Sequence, residues 1–252
     1  MFNLFKRKKS PPAAAIAAAA VGSASPVSPR VTSPAKPATP ATAPAREIRD
    51  TLFGDLPLEA WPPGNGPGGE PWQSFVAARE AVAAGRMDDA IAAWQQVSTM
   101  PRLESRHYAQ AWHFLRAQGV QPPADRAKQL LGVVLEVPME NGLDLLAAYP
   151  DYSARYYNYT GAGEIWDRPD PSLDPLIDDV LRAGQQILNA IGPWEEARPA
   201  APPAGQLRIN LLSPAGLHFG QGPFNDLAAD PLAKPAVEAG TALMTRLTSR
   251  RG

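Results

Sequence analysis

Hydrophobic and polar residues alternate with a period of two in the middle of the chain, and with a period of three to four on either side of it. Residues 131–137 place Val133, Leu135 and Val137 on one face, which is typical of a strand. A second apolar run follows the turn signal Asn141-Gly142. Short connections favour an antiparallel arrangement, so we predict a four-stranded meander formed by residues 131–137, 143–149, 154–160 and 164–167.

A long amphipathic helix is predicted directly after this meander. Asp174 is a suitable N-cap, Pro175 suits the first helical position, and Gly192-Pro193 ends the pattern. The apolar stripe that would lie across one face of the meander comprises Leu173, Leu176, Ile177, Val180, Leu181, Ile187, Leu188 and Ile191.

Residues 207–212 and 217–221 form a predicted hairpin. A three-residue turn at 214–216, with proline first and glycine last, fits the bulged hairpin class. This register pairs Leu211 with Phe219 and directs Phe219 inward. It also places three polar side chains together on the outer face: Arg208, Asn210 and His218. A last helix is predicted to begin at Asp230-Pro231.

Residues 71–120 have helical periodicity on both sides of a glycine turn. The relevant positions are Pro71, Ala78, Gly85, Ala90, Trp94 and Pro101. Over residues 71–102 this pattern resembles one tetratricopeptide helical hairpin. The resemblance implies a role in holding peptides or partner proteins. About three repeats are needed for a free-standing stack, so we expect these helices to cap the following domain instead.

The fold class predicted from these patterns is α+β. An N-terminal helical hairpin leads into an antiparallel sheet of about six strands, with at least one long helix packed on one face. We divide the chain into a low-complexity tail at residues 1–46, a connector at 47–70, a helical region at 71–129 and an α+β domain at 130–252. The tail is rich in Ala and Pro, lacks large side chains after its first residues, and is expected to be disordered.

Charge is divided unevenly along the 252 residues. Residues 1–46 contain seven Lys and Arg residues and no acid, whereas the remainder has 17 basic and 25 acidic residues. A globular part with a net charge of −8 lacks the basic surface that nucleic acid requires, so we predict no nucleic-acid partner. The chain contains no cysteine, which excludes disulfides, thiol catalysis and thiolate metal sites and suits the cytoplasm. We predict no cofactor and no metal.

The tip of the tail differs from the rest of it, because large apolar residues precede four consecutive cations. Weak attachment to an anionic membrane surface suits this composition. The residues that would make this contact are Phe2, Leu4, Phe5, Lys6, Arg7, Lys8 and Lys9. A solvated basic tail and a secretory signal spanning residues 1–25, which would mean export, remain alternatives.

Two groups of side chains are candidates for binding. His218 lies on a strand that also carries Gly220 and Gly222, which would let a ligand approach closely. Arg155, Tyr157 and Tyr159 share one side of a predicted strand, and an exposed Arg-Tyr-Tyr row is typical of a protein contact patch.

The sequence favours a non-catalytic interaction or scaffolding protein whose partner is another protein. It lacks the Gly-x-Ser-x-Gly nucleophile elbow and the His-Glu-x-x-His zinc motif. The alternative is a small enzyme or ligand-binding domain in which His218, Arg208 and Tyr157 surround a cleft. A pocket converging on His218 would favour this alternative, and an apolar patch elsewhere would favour protein binding.

Overall fold

The architecture, taken from a computed structural model that describes residues 43–64 and 66–251, is a central antiparallel sheet with helices on both faces. The strands are β1 (Gly132–Met139), β2 (Gly142–Ala148), β3 (Ala154–Tyr157), β4 (Gly163–Trp166), β5 (Gln206–Ser213) and β6 (Gly216–Pro223). They are arranged in the order β4-β3-β2-β1-β5-β6, so β1 lies between the meander and the hairpin. The predicted α+β class and six-stranded antiparallel sheet are confirmed.

One face of the sheet is covered by one helix that lies between β4 and β5 in the sequence and by two helices that follow β6. They are α5 (Asp174–Ala190), α6 (Phe224–Ala229) and α7 (Lys234–Thr248). The core on this side contains Val133 and Leu135 of β1, together with the stripe of α5 that includes Ile177, Val180 and Ile187. The long helix predicted on one face is therefore confirmed.

The opposite face is covered by the helices that precede the strands. They are α1 (Ala43–Phe53), α2 (Trp72–Ala83), α3 (Met87–Thr99) and α4 (Ser105–Ala117). Their core includes Trp94, Leu115 and Phe75, and it contacts Val134 and Leu145 from the sheet. Because β1 is buried on both faces, its sequence is nearly continuously apolar.

Helix α1 begins inside the segment that composition assigns to the tail. Leu52 and Phe53 at its end are buried, and the Tyr149 hydroxyl donates a 2.7 Å hydrogen bond to the Leu52 carbonyl. The first residues of the connector therefore belong to the folded layer. The disorder predicted for residues 1–46 is not found at residues 43–46, which begin α1. Residues 1–42, which include the tip and its predicted membrane contacts, lie outside the described part of the chain.

Candidate functional site

The β5–β6 hairpin has a different register from the one that the sequence predicts. Ser213 pairs with Gly216, so the turn contains only Pro214 and Ala215, and Leu211 pairs with His218. Removing one residue from the turn moves every side chain of β6 to the other face. The predicted pairing of Leu211 with Phe219 is wrong, and His218 shares the α5 side with Leu211 while Arg208 and Asn210 face the α1 side.

His218 is fully buried in this arrangement. Its Nε2 lies 3.1 Å from the hydroxyl of Ser213, which also donates to the Gly216 carbonyl. Burial lowers the pKa of His218 to about 4, with a smaller contribution from Lys128 that is opposed by the nearby backbone of Ile191 and Gly192. The ring is neutral at pH 7 and enclosed by protein, so this histidine does not provide the exposed acid–base group that the alternative function requires.

Arg208 and Asn210 belong to a buried polar network on the α1 side of the sheet. Arg208 Nη1 donates to Glu136 Oε2 at 3.2 Å and to the Ala200 carbonyl at 2.7 Å. Asn210 Nδ2 donates to the Val134 carbonyl at 2.9 Å and to Glu136 Oε2 at 3.1 Å. These bonds join strands and a loop. The predicted outer-face cluster of Arg208, Asn210 and His218 does not exist.

The predicted row of Arg155, Tyr157 and Tyr159 is divided between two places. Arg155 donates to the Trp166 carbonyl at 2.9 Å and to Asp167 at 2.5 Å, and it lines a cavity of about 260 Å³ together with half-buried Tyr157. Tyr159 is exposed and lies beyond the end of β3, against Gly142. The three side chains therefore do not form one contact row, and Tyr159 is the only one of them that is exposed.

The largest cavity described has a volume of about 640 Å³ and lies between α1, α4, the β5–β6 turn and residues 193–198. Two arginines contribute to its lining. Arg198 makes hydrogen bonds to Asp50 and Asp55, and Arg116 donates to the Pro214 carbonyl at 2.9 Å. Burial lowers the pKa of Arg116 to about 10, although the charge of Asp55 opposes this.

Both guanidinium groups of this large cavity fasten neighbouring segments to each other. Arg198 joins the 193–198 loop to α1, and its guanidinium lies 4.5 Å from the centre of the Phe53 ring. Burial also lowers the pKa of half-buried His113. The arrangement explains how the helical layer is held to the hairpin. Ser213 also lines this cavity, and its hydroxyl lies 3.1 Å from the buried His218 ring.

A second concavity, the apolar groove, has a volume of about 310 Å³. It lies between α7 and the end of the sheet that contains Met139. Its lining is almost entirely apolar, as ligand and peptide sites often are. The residues are Leu135, Val137, Met139, Asp144, Leu145, Leu146, Tyr156, Leu207, Phe224, Val237, Gly240, Thr241 and Met244.

The mouth of the apolar groove carries large apolar side chains that remain in water. Met139 is 43% exposed and Phe224 is 44% exposed. Both lie at the end of the sheet where β1 turns into β2 and where β6 ends. An exposed apolar surface beside a preformed concavity marks an interaction site in many proteins.

Glycine sets the distance between α7 and the sheet beside the apolar groove. A Cβ added at Gly240 would lie 2.8 Å from Leu135 Cδ2, closer than side chains pack. The helix therefore rests directly on the sheet at this point. Further along, Thr241 and Met244 extend over the gap that forms the groove.

The ionisable residues that line the apolar groove, Asp144 and Tyr156, form one hydrogen-bonded pair. Asp144 accepts from the Tyr156 hydroxyl at 2.8 Å and from the Tyr159 backbone N–H at 2.7 Å. Burial raises the pKa of Tyr156 to about 12, with further contributions from the hydrogen bond and the charge of Asp144. The tyrosine is therefore neutral at pH 7, and Asp144 places an acidic side chain at this end of the groove.

The strand ends and loops at the mouth are acidic, whereas α7, which forms the other wall, carries Arg246 and a Lys234 that lies 3.8 Å from Glu238. Residues 138–144, 158–164, 203–207 and 221–226 contain no Lys or Arg. Their acids are Glu140, Asp144, Glu164 and Asp226, of which Glu140 and Asp226 are exposed. The site therefore combines an apolar interior with a negatively charged rim.

Sequence reasoning missed the two exposed residues of this site. Met139 precedes the Asn141-Gly142 turn and Phe224 follows the last glycine of β6, and both positions look like ordinary strand ends. The only available signal was that each is a large apolar residue beside a turn, at a position where the strand pattern does not require one. Only the surrounding structure shows that the two residues border one groove.

Neither a membrane-spanning helix nor a metal-binding group is found in the described residues. None of the helices described there has the length and apolar character required to cross a membrane. In the same residues, no group of three or more His, Asp or Glu side chains is placed to hold a metal ion. Comparison with protein-family models, with curated proteins and with solved structures finds no match to this chain.

Proposed function

We propose that this protein is a non-catalytic interaction protein that holds an apolar segment of another protein in the apolar groove beside α7. The observation that carries the proposal is the combination of a preformed apolar concavity with the exposed side chains Met139 and Phe224 at its mouth. Burying such side chains against a partner releases water from apolar surface, which favours association.

The lining of the groove suits the binding of a partner's side chain better than it suits catalysis. Asp144 and Tyr156 are the only ionisable lining residues, and they are hydrogen-bonded to each other. Met139 and Met244 are flexible and polarisable, so they can adapt to different apolar shapes. A short peptide with two or three apolar anchors and flanking cations fits both the interior and the acidic rim.

Three further expectations from the sequence remain predictions within this proposal. Peripheral contact of the basic tip with an anionic membrane would bring the interaction domain to a surface. A cytoplasmic location would suit a chain without cysteine. The tetratricopeptide-like hairpin at residues 71–102 would add a second protein-binding surface on the other side of the sheet.

The proposal is tested by selecting peptides from a displayed random library on the immobilised full chain. We expect enriched peptides to contain clustered apolar residues flanked by Lys or Arg. Binding of the selected peptides should fall at least tenfold when Met139 and Phe224 are both replaced by Glu, since charge at the mouth opposes apolar burial by more than about 1.4 kcal/mol.

Ile165→Glu provides the matched control. Ile165 is 59% exposed and lies on the edge strand β4, outside the groove lining. This variant should bind the selected peptides as the unaltered chain does. Equal loss in the control, or unchanged binding by the double variant, would rule out the groove as the binding site.

A further inference from the structure

We propose that the N-terminal tip of the same chain, residues 2–9, occupies the apolar groove and competes there with the partner. The inference rests on the function proposed above, because it assigns a second occupant to the same groove. It makes the tip an intramolecular competitor that controls access to the site.

The composition of the tip complements the composition of the groove. Phe2, Leu4 and Phe5 provide large apolar side chains, and residues 6–9 are four consecutive cations. The groove interior is apolar, and the strand ends and loops at its mouth carry acids and no Lys or Arg, while the cations of α7 are Lys234 and Arg246. Apolar residues in the groove would place the cations beside Glu140, Asp144 and Asp226, where opposite charges attract.

The direction of α1 brings the preceding chain towards the correct end of the sheet. At the end of α1, the Leu52 carbonyl accepts from Tyr149, which follows β2. One turn earlier, Arg49 contacts Glu136, which is further along β1. Moving backwards along α1 therefore leads towards Met139 and the β1–β2 turn, which forms part of the groove mouth.

The length of the intervening chain permits this contact. Residues 10–42 separate the tip from α1, and 33 residues can span up to roughly 110 Å. This reach exceeds the distance from one face of a single sheet to the other, given a sheet-to-layer spacing of about 10 Å. A segment tethered in this way has an effective concentration on the order of millimolar at the groove. A weakly binding tip would therefore compete measurably with a separate partner.

Methionine methyl groups provide a direct test on the full chain. The chain has five methionines, of which Met139 and Met244 line the groove while Met87 and Met100 lie in the helical layer. Because there is no cysteine, Ser10→Cys introduces one unique site for a nitroxide spin label beside the tip. We expect the label to weaken the ¹³C-methyl signals of Met139 and Met244 and to leave Met87 and Met100 nearly unchanged.

Two comparisons make the result specific. Replacing Phe2, Leu4 and Phe5 with Ser in the labelled chain should restore both groove signals, because apolar docking is then lost. Mixing a spin-labelled, isotopically unlabelled chain with an unmodified ¹³C-labelled chain should weaken neither signal at equal concentration, which shows that docking occurs within one chain. Undiminished Met139 and Met244 signals, or equal weakening of all four methionines, would overturn the inference.

A peptide selected on the groove separates this inference from the proposed function. Added to the unmodified chain and to the Phe2, Leu4, Phe5→Ser variant, it should shift the Met139 and Met244 signals in both and bind the variant several-fold more tightly. Equal affinity for the two chains would refute competition by the tip while the groove function stands. Failure to shift either methionine in the variant would refute the groove function itself.

Discussion

Arg49 Nε donates a 2.6 Å hydrogen bond to Oε1 of Glu136 and thereby joins α1 to the centre of the sheet. The two residues are 87 positions apart in the sequence, and both are buried. The second carboxylate oxygen of Glu136 accepts from Arg208 and Asn210 on β5. One buried carboxylate therefore connects a helix and two strands.

Replacing Glu136 with Ala should lower the free energy of unfolding by about 3–5 kcal/mol, because two buried guanidinium groups lose their counter-ion. Urea denaturation followed by circular dichroism measures this loss. The control is Asp89→Ala, which removes an exposed ion pair with Arg86 at a similar distance of 2.7 Å. That change should cost less than about 1 kcal/mol, since exposed pairs contribute little. Equal costs for the two variants would show that Glu136 is not desolvated.

Two buried histidines predict a loss of stability in mild acid. Burial lowers the pKa of His218 and of His107 to about 4 each, with Arg106 adding to the effect at His107 and Asp151 opposing it. The unfolded chain therefore binds more protons than the folded chain between about pH 6.5 and pH 4. The free energy of unfolding should be greatest above pH 6.5 and should fall through this window, by up to roughly 1.4 kcal/mol per pH unit for each histidine.

Urea denaturation at several pH values between 7 and 4.5 tests this dependence. His107→Gln and His218→Gln should each flatten the curve, since glutamine has no proton to gain. His113 is half-buried at the large cavity, and His113→Gln should change the slope less. A curve of unchanged slope in both buried-site variants would contradict the neutral state assigned to these rings.

In the long helices α5 and α7, replacing a glycine with alanine should have the reverse of its usual effect on stability. A Cβ at Gly184 in α5 would lie 2.5 Å from Val133 Cγ2, and one at Gly240 in α7 would lie 2.8 Å from Leu135 Cδ2. Alanine normally favours a helix over glycine by about 1 kcal/mol. We nevertheless expect Gly184→Ala to destabilise the protein by roughly 1–3 kcal/mol, because the added methyl overpacks the contact with β1.

Calorimetry or urea denaturation of the alanine variants measures this effect. The matched control is Gly192→Ala, since a Cβ there would meet nothing within 4 Å. That change should leave stability within about 0.5 kcal/mol. Stabilisation by Gly184→Ala would show that α5 does not rest directly on the sheet.

The elements that sequence analysis predicted correctly are those with a strong and continuous pattern. For the apolar stripe of α5 and for the alternation in β1 and β2, only one orientation of the element buries the apolar residues. Glu136, a charged residue within the apolar β1, was not singled out from the sequence, although a charge buried there requires a partner. The identity of that partner could not be read, because Arg49 precedes it by 87 residues and belongs to a segment that composition assigned to a connector.

The hairpin register was wrong for a physical reason. Every residue of β5 from Leu207 to Ser213 is buried, because helices cover both faces of the sheet. Polar Arg208 and Asn210 therefore do not mark a solvent face, and alternation cannot choose between a two-residue and a three-residue turn. The glycines of β6 give no further signal, since they carry no side chain to bury.

The observed register leads to a stability test at the residue that sequence analysis placed in solvent. His218→Ala should lower the free energy of unfolding by roughly 2–4 kcal/mol, because it removes a fully buried ring and leaves the Ser213 hydroxyl without that partner. A ring on the outer face would change stability by less than about 0.5 kcal/mol. Nuclear Overhauser contacts between the backbones of Leu211 and His218 give an independent readout. Contacts between Leu211 and Phe219 in their place would restore the bulged turn and move His218 to the α1 side of the sheet.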